Sequence, residues 1–255
     1  MARKSRAIAL ILLTAAAAGP ARAQILESID HAEEYRACML LSRQAPEEAF
    51  ESAGAWEAQG GGHAAQHCAA VALLNLEQYA RAATRFQTLA EAMQDRPAAL
   101  RAEVLAQAGQ AWILADETRR AHAAQSAALV LASDNVELWI DRALTLALAE
   151  NYWEAIDDLN EAEGLAPKRA DILIFRASAY RYVDALELAA EDIRRGLALD
   201  PDNVEGLLES GIIKRLSGDP EGARADWLKV VTLDGATPAA DAARENLAQL
   251  DVKEE

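Results

Sequence analysis

The sequence lacks the short motifs that identify the common hydrolases. It contains no G-x-S-x-G, no H-E-x-x-H and no glycine-rich turn leading from a strand into a helix. Strand-like alternation of apolar and polar residues is nearly absent, so we do not expect an active-site pocket at the end of a β-sheet. Carboxylates are abundant, but close pairs such as Asp157 and Asp158 are typical of solvated helix faces. The sequence therefore predicts a protein that is not an enzyme and has neither a cofactor nor catalytic residues.

Basic residues are few relative to acidic ones. The chain has 25 Lys and Arg against 41 Asp and Glu, a formal net charge of −16 at pH 7. The negative electrostatic field of such a protein disfavours binding to nucleic acid and to anionic lipid headgroups, because their recognition depends on a basic surface. It favours solubility and basic or apolar partners.

The apolar run near the N-terminus is too short to span a bilayer, which takes about 20 residues. Its 13 residues, 7–19, follow the basic start MARKSR and lead to an A-x-A site at residues 21–23. This pattern predicts a secretory signal peptide over 1–23, with an uncleaved anchor as the alternative. No Cys follows the cleavage site, which argues against a bacterial lipid anchor. We expect an exported bacterial protein, in the periplasm, with no stable membrane insertion after cleavage. The mature chain would carry a formal charge of −20, because the signal removes four basic residues and no acidic one: Arg3, Lys4, Arg6 and Arg22.

A 34-residue sequence pattern occurs twice between residues 136 and 203. When 136–169 is set on 170–203, small or apolar residues coincide, as Ala155 does with Ala189 and Leu159 with Ile193. Pro167 and Pro201 also coincide near the ends of the two copies. A fixed period of this length is typical of a stacked two-helix repeat.

The copies resemble the tetratricopeptide (TPR) repeat. That repeat has bulky residues at positions 4, 11 and 24, small residues at 8, 20 and 27, and Pro at 32. In the first copy these positions hold Trp139, Leu146, Leu159, Ala143, Ala155, Ala162 and Pro167. The resemblance implies an all-α, right-handed superhelical solenoid of antiparallel helix pairs, with about six repeats and a C-terminal capping helix. The predicted segments after the signal are a degenerate first repeat at 24–62, a repeat with a short extension at 63–101, repeats at 102–135, 136–169, 170–203 and 204–237, and a capping helix at 238–250.

Position 7 departs from the family pattern, because Arg142 and Arg176 occupy it in the two clean copies. We expect their aliphatic stems to pack while the guanidinium groups reach water.

Cys38 and Cys68 are the only two cysteines. In repeat register they lie on first helices of adjacent repeats, and the oxidising destination of an exported chain favours a disulfide between them. Two buried unpaired thiols are the main alternative, and a redox pair is a weaker one. His63, His67 and Cys68 share a helix but offer too few ligands for zinc. Gly60–Gly62 lacks the lysine of a phosphate loop. We therefore predict no metal site.

The resemblance also implies a binding surface. In the TPR family, positions 2, 5, 6, 9, 12 and 13 of each first helix line the concave face, which binds extended peptides or partner helices. Here they give an apolar floor with an acidic row at its mouth. The family's carboxylate clamp is missing, although Arg181 and Arg215 could still bind a carboxylate. The residues expected to contact a partner are Glu137, Ile140, Asp141, Leu144, Asp171, Ile174, Phe175, Ser178, Arg181, Tyr182, Glu205, Leu208, Ile212 and Arg215.

The sequence thus predicts a non-enzymatic scaffold or adaptor for other envelope proteins or for basic or amphipathic peptides. Packing of the apolar floor residues against the next repeat is the alternative to a binding role. Two rival functions are a carrier of a lipid or another apolar small molecule within the superhelix, and a homo-oligomer that assembles through Trp153.

Overall fold

The computed structural model describes residues 32–233 and 235–252, and these residues form thirteen α-helices and no strand. The predicted signal peptide at 1–23 lies outside the described residues. The helices are α1 Ala32–Gln44, α2 Pro46–Ala58, α3 Gly62–Asn75, α4 Tyr79–Ala92, α5 Ala98–Leu114, α6 Thr118–Leu131, α7 Val136–Leu148, α8 Tyr152–Leu165, α9 Ala170–Tyr182, α10 Leu186–Leu199, α11 Val204–Leu216, α12 Pro220–Leu233 and α13 Pro238–Val252. Across 32–233 and 235–252, every helix is too short or too polar to pass through a bilayer.

Five helix pairs, from α3–α4 to α11–α12, are joined by the same turn. In each pair the residue at position 15 has a positive φ, between 58° and 62° for the four that are not glycine. The N–H of position 16 bonds to the carbonyl of position 11, for example Asn151 to Leu146 at 2.9 Å. This is the Schellman arrangement, which ends a helix at a left-handed residue. The position-15 residues are Glu77, Asp116, Glu150, Asp184 and Gly218.

Small residues lie where the two helices of a pair cross. Ala143 and Ala155 at positions 8 and 20 are each 1% exposed, and Ala177 and Ala189 are fully buried. In the α11–α12 pair, a Cβ added to Gly211 would lie 2.3 Å from Trp227 Nε1. Position 8 must therefore stay small for the pair to close.

The chain of pairs is covered at its C-terminal end by α13. Ala240, Ala243 and Leu250 of this helix are buried against a cluster that includes Leu207 and Trp227. The last apolar face is closed in this way rather than left to water.

At the N-terminal end, Cys38 of α1 and Cys68 of α3 have a geometry compatible with a disulfide. Their Cα atoms are 6.2 Å apart, and both side chains are buried, at 7% and 0% exposure. They pack with Ala53 and Ala69, so the pair lies inside a small apolar cluster between the first two helix pairs.

The expectation that Arg142 and Arg176 send their guanidinium groups into water is wrong. Arg142 donates two hydrogen bonds of 2.7 Å to Asp158, and Arg176 donates bonds of 2.7 and 2.9 Å to Asp192. Both aspartates are buried, so the expectation that Asp158 lies on a solvated face is also wrong. Each pair joins position 7 of a first helix to position 23 of the second helix. Two-point bonding between a guanidinium and a carboxylate satisfies charges that water no longer reaches.

Position 25 links successive repeats. Its side-chain oxygen accepts a hydrogen bond from the first helix of the next repeat: Gln87 from Trp112 at 3.0 Å and Asn160 from Arg176 at 2.8 Å. Ser126 accepts one from Arg142 in the same way, at 3.2 Å. The three bonds each connect a helix pair to the following one.

Arg176 is the centre of the largest of these polar clusters, here called the Arg176 network. Besides Asp192 and Asn160 it bonds Glu163 of the preceding repeat, and Glu163 also pairs with Arg195. Burial acts to lower the pKa of Arg176, but Asp192 and Glu163 outweigh it and raise that pKa above its usual value. The network thus joins α8, α9 and α10 through groups that stay charged.

We expect Glu163→Gln to remove part of the acid sensitivity of the fold. Burial acts to raise the pKa of Glu163, but Arg195 and Arg176 outweigh it and lower the pKa below its usual 4.5. The carboxylate therefore stabilises the fold at pH above about 4.5, and this contribution is lost as the pH falls through the folded-state pKa. Near neutral pH the variant should be less stable by roughly 1.5–3 kcal/mol, as for a charge-assisted hydrogen bond, and the deficit should shrink in acid.

Urea unfolding of both proteins from neutral to acid pH measures this effect. Glu161→Gln, an exposed change on the same helix, is the control and should leave the pH profile of the wild type unaltered. Parallel pH profiles for the wild type and Glu163→Gln would contradict the assignment.

Candidate protein-interaction surface

The predicted contact residues lie on the first helices, but the structure separates them into buried and exposed groups. Ile140 and Ile174 at position 5 are each 5% exposed. Ile174 packs with Ile213 of the next pair, and its Cδ1 lies 2.9 Å from where a Cβ on Gly206 would be. These two residues therefore pack within the array, as the alternative to a binding role had it, and they are not available to a ligand on the surface.

The other predicted floor residues are half-buried. Leu144 and Phe175 pack against the core of the α7–α8 pair, and Leu208 and Ile212 pack against the core that α13 covers. The side chains of Asp141, Ser178 and Arg215 are also partly covered. The floor of the predicted groove is therefore largely occupied by contacts within the array.

The acidic row is partly neutralised by a residue that the sequence prediction missed. Arg169, at position 34, pairs with Glu137 and with Asp171, which lie at position 2 of two successive repeats. The hydrogen bond to Asp171 is the main reason why the pKa of Arg169 lies above its usual value. Glu205 at the next position 2 is exposed. The sequence did contain a signal for this pairing. Arg169 is the last residue of its repeat, and it lies two residues before Asp171, the acidic residue at position 2 of the next repeat.

Arg181 does not offer an open guanidinium to a carboxylate, as the sequence had suggested. Its Nη2 donates to Glu209 Oε2 at 3.2 Å and its Nε also bonds the same carboxylate, which is 8% exposed. Burial acts to lower the pKa of Arg181, and the pairing with Glu209 outweighs it and raises that pKa. The group is thus already paired across two repeats.

Among the exposed large apolar residues of the described chain, four share position 13, at the ends of the first helices of four successive repeats. Tyr182 in this set stacks on Tyr152 with ring centroids 4.6 Å apart and planes 2° from parallel, and Arg181 lies 4.3 Å from its ring centre. We call this set the position-13 row: Leu114 is 54% exposed, Leu148 59%, Tyr182 57% and Leu216 50%.

The row runs along one edge of the first-helix layer, and the acidic residues of position 2 run along the other. Eleven residues of helix separate the two positions, which is about 16 Å. Such an arrangement can hold an apolar face of a partner at one edge and basic groups at the other.

His67 takes part in a polar chain near the N-terminal end of the array. Its Nε2–H donates to Gln107 Oε1 at 2.8 Å, since an amide oxygen only accepts, and its Nδ1 accepts from the Tyr35 hydroxyl at 2.9 Å. Burial raises the pKa of Tyr35. Within 32–233 and 235–252, no three His, Cys, Asp or Glu side chains are grouped so that they could hold a metal ion.

No protein-family profile and no curated protein matches the sequence. Solved structures do match the fold. The structure of "MamA 41-end from Desulfovibrio magneticus RS-1" is 20% identical over 66% of this chain and 92% of its own, with a TM-score of 0.57. Another MamA crystal structure is 15% identical over 65% and 94%, also with a TM-score of 0.57. YrrB, described as "a TPR protein with an unusual peptide-binding site", is 17% identical over 77% and 98%, with a TM-score of 0.56.

These likenesses, together with the thirteen helices of the described residues, define an all-α solenoid protein built from stacked helix pairs. YrrB is described as a TPR protein, so the fold of this chain is that of a tetratricopeptide-type solenoid, as the resemblance stated from the sequence implied.

Proposed function

We propose that this protein is an exported scaffold or adaptor that binds another envelope protein along the first-helix layer, with the position-13 row as the main contact. The observation that carries the proposal is the row itself. Four large apolar side chains at a constant 34-residue spacing are half or more exposed, while neighbouring apolar residues of the same helices are covered. Another row with the same spacing, Leu165, Leu199 and Leu233, lies on the second helices. We choose the position-13 row because it shares the first-helix layer with the acidic residues of position 2.

The chemistry of the partner follows from the two edges. One edge offers apolar and aromatic side chains, among them Tyr182, and the other offers the exposed Glu205 in a strongly acidic protein. A basic, amphipathic helix or extended segment fits both edges. The peptide-binding site described for YrrB supports this class of partner for the same fold. The signal pattern at 1–23 supports the bacterial periplasm as the place of action.

We expect the triple variant Leu148→Ser, Tyr182→Ser and Leu216→Ser to weaken partner capture by at least about tenfold, since a few central apolar residues dominate most interfaces. Stability should change little, because all three side chains are half or more exposed. Tagged protein is isolated from the periplasm, which also shows whether its chain begins at Gln24, and captured proteins are quantified by mass spectrometry.

The matched control is Leu165→Ser, Leu199→Ser and Leu233→Ser. These leucines are 45%, 47% and 42% exposed and also recur every 34 residues, but at position 30 on the second helices. Equal loss in both triple variants, or undiminished capture by the first, would contradict the assignment of the surface.

Self-association is the second candidate, because Trp153 is 58% exposed. Light scattering on the same preparations separates it from the first candidate. A particle mass above that of the monomer that falls in Trp153→Ser would favour self-association.

A further inference from the structure

Three arginines surround an open hollow between the second helices α4 and α6. Arg81 and Arg85 come from α4 and Arg120 comes from the first turn of α6. The buried side chains of Leu73 and Trp112 close the base, and the hollow has a volume of about 410 Å³. It lies among second helices, whereas the position-13 row lies on first helices, so the two surfaces are separate.

The hollow carries positive charge in a protein of net charge −16. No carboxylate is among its lining side chains. Two of the arginines form long ion pairs with carboxylates outside the hollow. Arg85 Nη1 lies 3.7 Å from Glu57 Oε2, and Arg120 Nε lies 3.9 Å from Glu117 Oε2. The charge at position 23 differs between repeats. In the repeat 63–96 it is Arg85, whereas in the repeat 136–169 it is Asp158, which pairs with Arg142.

The guanidinium groups also lie over aromatic rings, and Arg81 donates a hydrogen bond to Gln78 Oε1. Arg81 and Arg85 lie 5.5 and 5.3 Å from the ring centre of Phe50, and Arg120 lies 4.7 Å from that of Trp112. A cation over a ring face keeps its charge and most of its hydrogen-bond donors free. The three groups are therefore pre-positioned donors for an anion.

The spacing of the arginines indicates what kind of anion fits. Arg81 and Arg85 are four residues apart on one helix, a rise of about 6 Å. Side chains at i and i+2 of an extended chain lie on one side and about 6.6 Å apart. Arg120 of α6 adds a third donor, so a ligand that contacts all three arginines must reach from α4 to α6.

We propose that the arginine hollow, formed by Arg81, Arg85, Arg120, Leu73 and Trp112, is a second binding site that takes an acidic, extended polypeptide segment with carboxylates at alternate residues. The protein would then hold an acidic partner segment between second helices while its first-helix layer is free for another partner. This site does not depend on the position-13 row, and its failure would leave the proposed function untouched.

Fluorescence anisotropy with labelled (Glu-Ser)4 and (Lys-Ser)4 peptides tests the proposal on the full mature chain. The glutamate peptide should bind, the lysine peptide should not, and binding should weaken as salt is added. The double variant Arg81→Gln and Arg120→Gln should weaken binding by about tenfold or more, because two charge-assisted contacts are lost. Both side chains are exposed, so the fold should be retained.

The control is Arg194→Gln with Arg244→Gln, which removes the same charge from exposed arginines elsewhere. If the control weakens binding as much as the double variant does, the attraction is only the overall charge and the site is refuted. Undiminished binding by the double variant refutes it as well. Inorganic phosphate that displaces the peptide at equal concentration would show a small-anion site and overturn the peptide proposal.

Discussion

Replacing Arg176 with Met is expected to lower the free energy of unfolding by about 3–5 kcal/mol, the usual effect of breaking a buried ion pair. The change leaves Asp192, whose side chain is 6% exposed, without its two-point partner, and leaves Glu163 with Arg195 alone. Arg195 also lies 3.2 Å from Asp192, so the loss should fall toward the lower end of the range. Urea unfolding followed by circular dichroism measures it.

A double replacement shows whether the loss comes from unpaired charge. Arg176→Met with Asp192→Leu removes both members of the pair, so its cost should be well below the sum of the two single changes. The control is Arg194→Gln, which breaks the exposed Arg194–Glu191 pair on α10 and should have no measurable effect. If Arg176→Met were as mild as this control, the Arg176 network would not stabilise the array.

Replacing Cys38 and Cys68 with Ala is expected to cost roughly 3–4 kcal/mol, from the loop-entropy model for a bridge that closes about 30 residues. The two residues are 30 apart in the chain and join α1 to α3. Since each repeat is stabilised by its neighbours, the loss should appear first in the helices nearest the bridge. Hydrogen exchange should therefore accelerate in α1–α3 before it does in α9–α11.

A reductant provides the matched control for the cysteine variant. It should destabilise the wild type by a similar amount and leave the variant unchanged, because there are only two cysteines. Two titratable thiols in the non-reduced, denatured wild type would show that the bond does not form, and the alternative of two unpaired thiols would then hold.

The helix pairs could be predicted from sequence because their signals are local and repeated. Alanines at positions 8 and 20 mark the crossing, and the 34-residue period places it in successive copies. The Arg–Asp pairs could have been found in the same way. Position 7 and position 23 carry opposite charges in both clean copies, at Arg142 with Asp158 and at Arg176 with Asp192. When only one copy is considered, the arginine at position 7 and the aspartate at position 23 both resemble solvent-exposed residues.

The surface was harder to predict because exposure depends on the neighbouring repeat. Ile174 and Tyr182 lie on one helix, and the sequence assigns both to the same groove. The structure leaves Ile174 at 5% exposure and Tyr182 at 57%, because Gly206 and Ile213 of the next pair cover the former and not the latter. The arginine hollow likewise joins residues from two repeats, and no single-repeat pattern contains it.

By itself, the sequence determined the repeat, the helix pairs and the acidic charge, because these depend on residues within one 34-residue unit or on composition. Only the tertiary structure decided which apolar side chains stay exposed, because exposure depends on how one repeat is stacked on the next. That stacking buries Ile174 and leaves the position-13 row and the arginine hollow exposed.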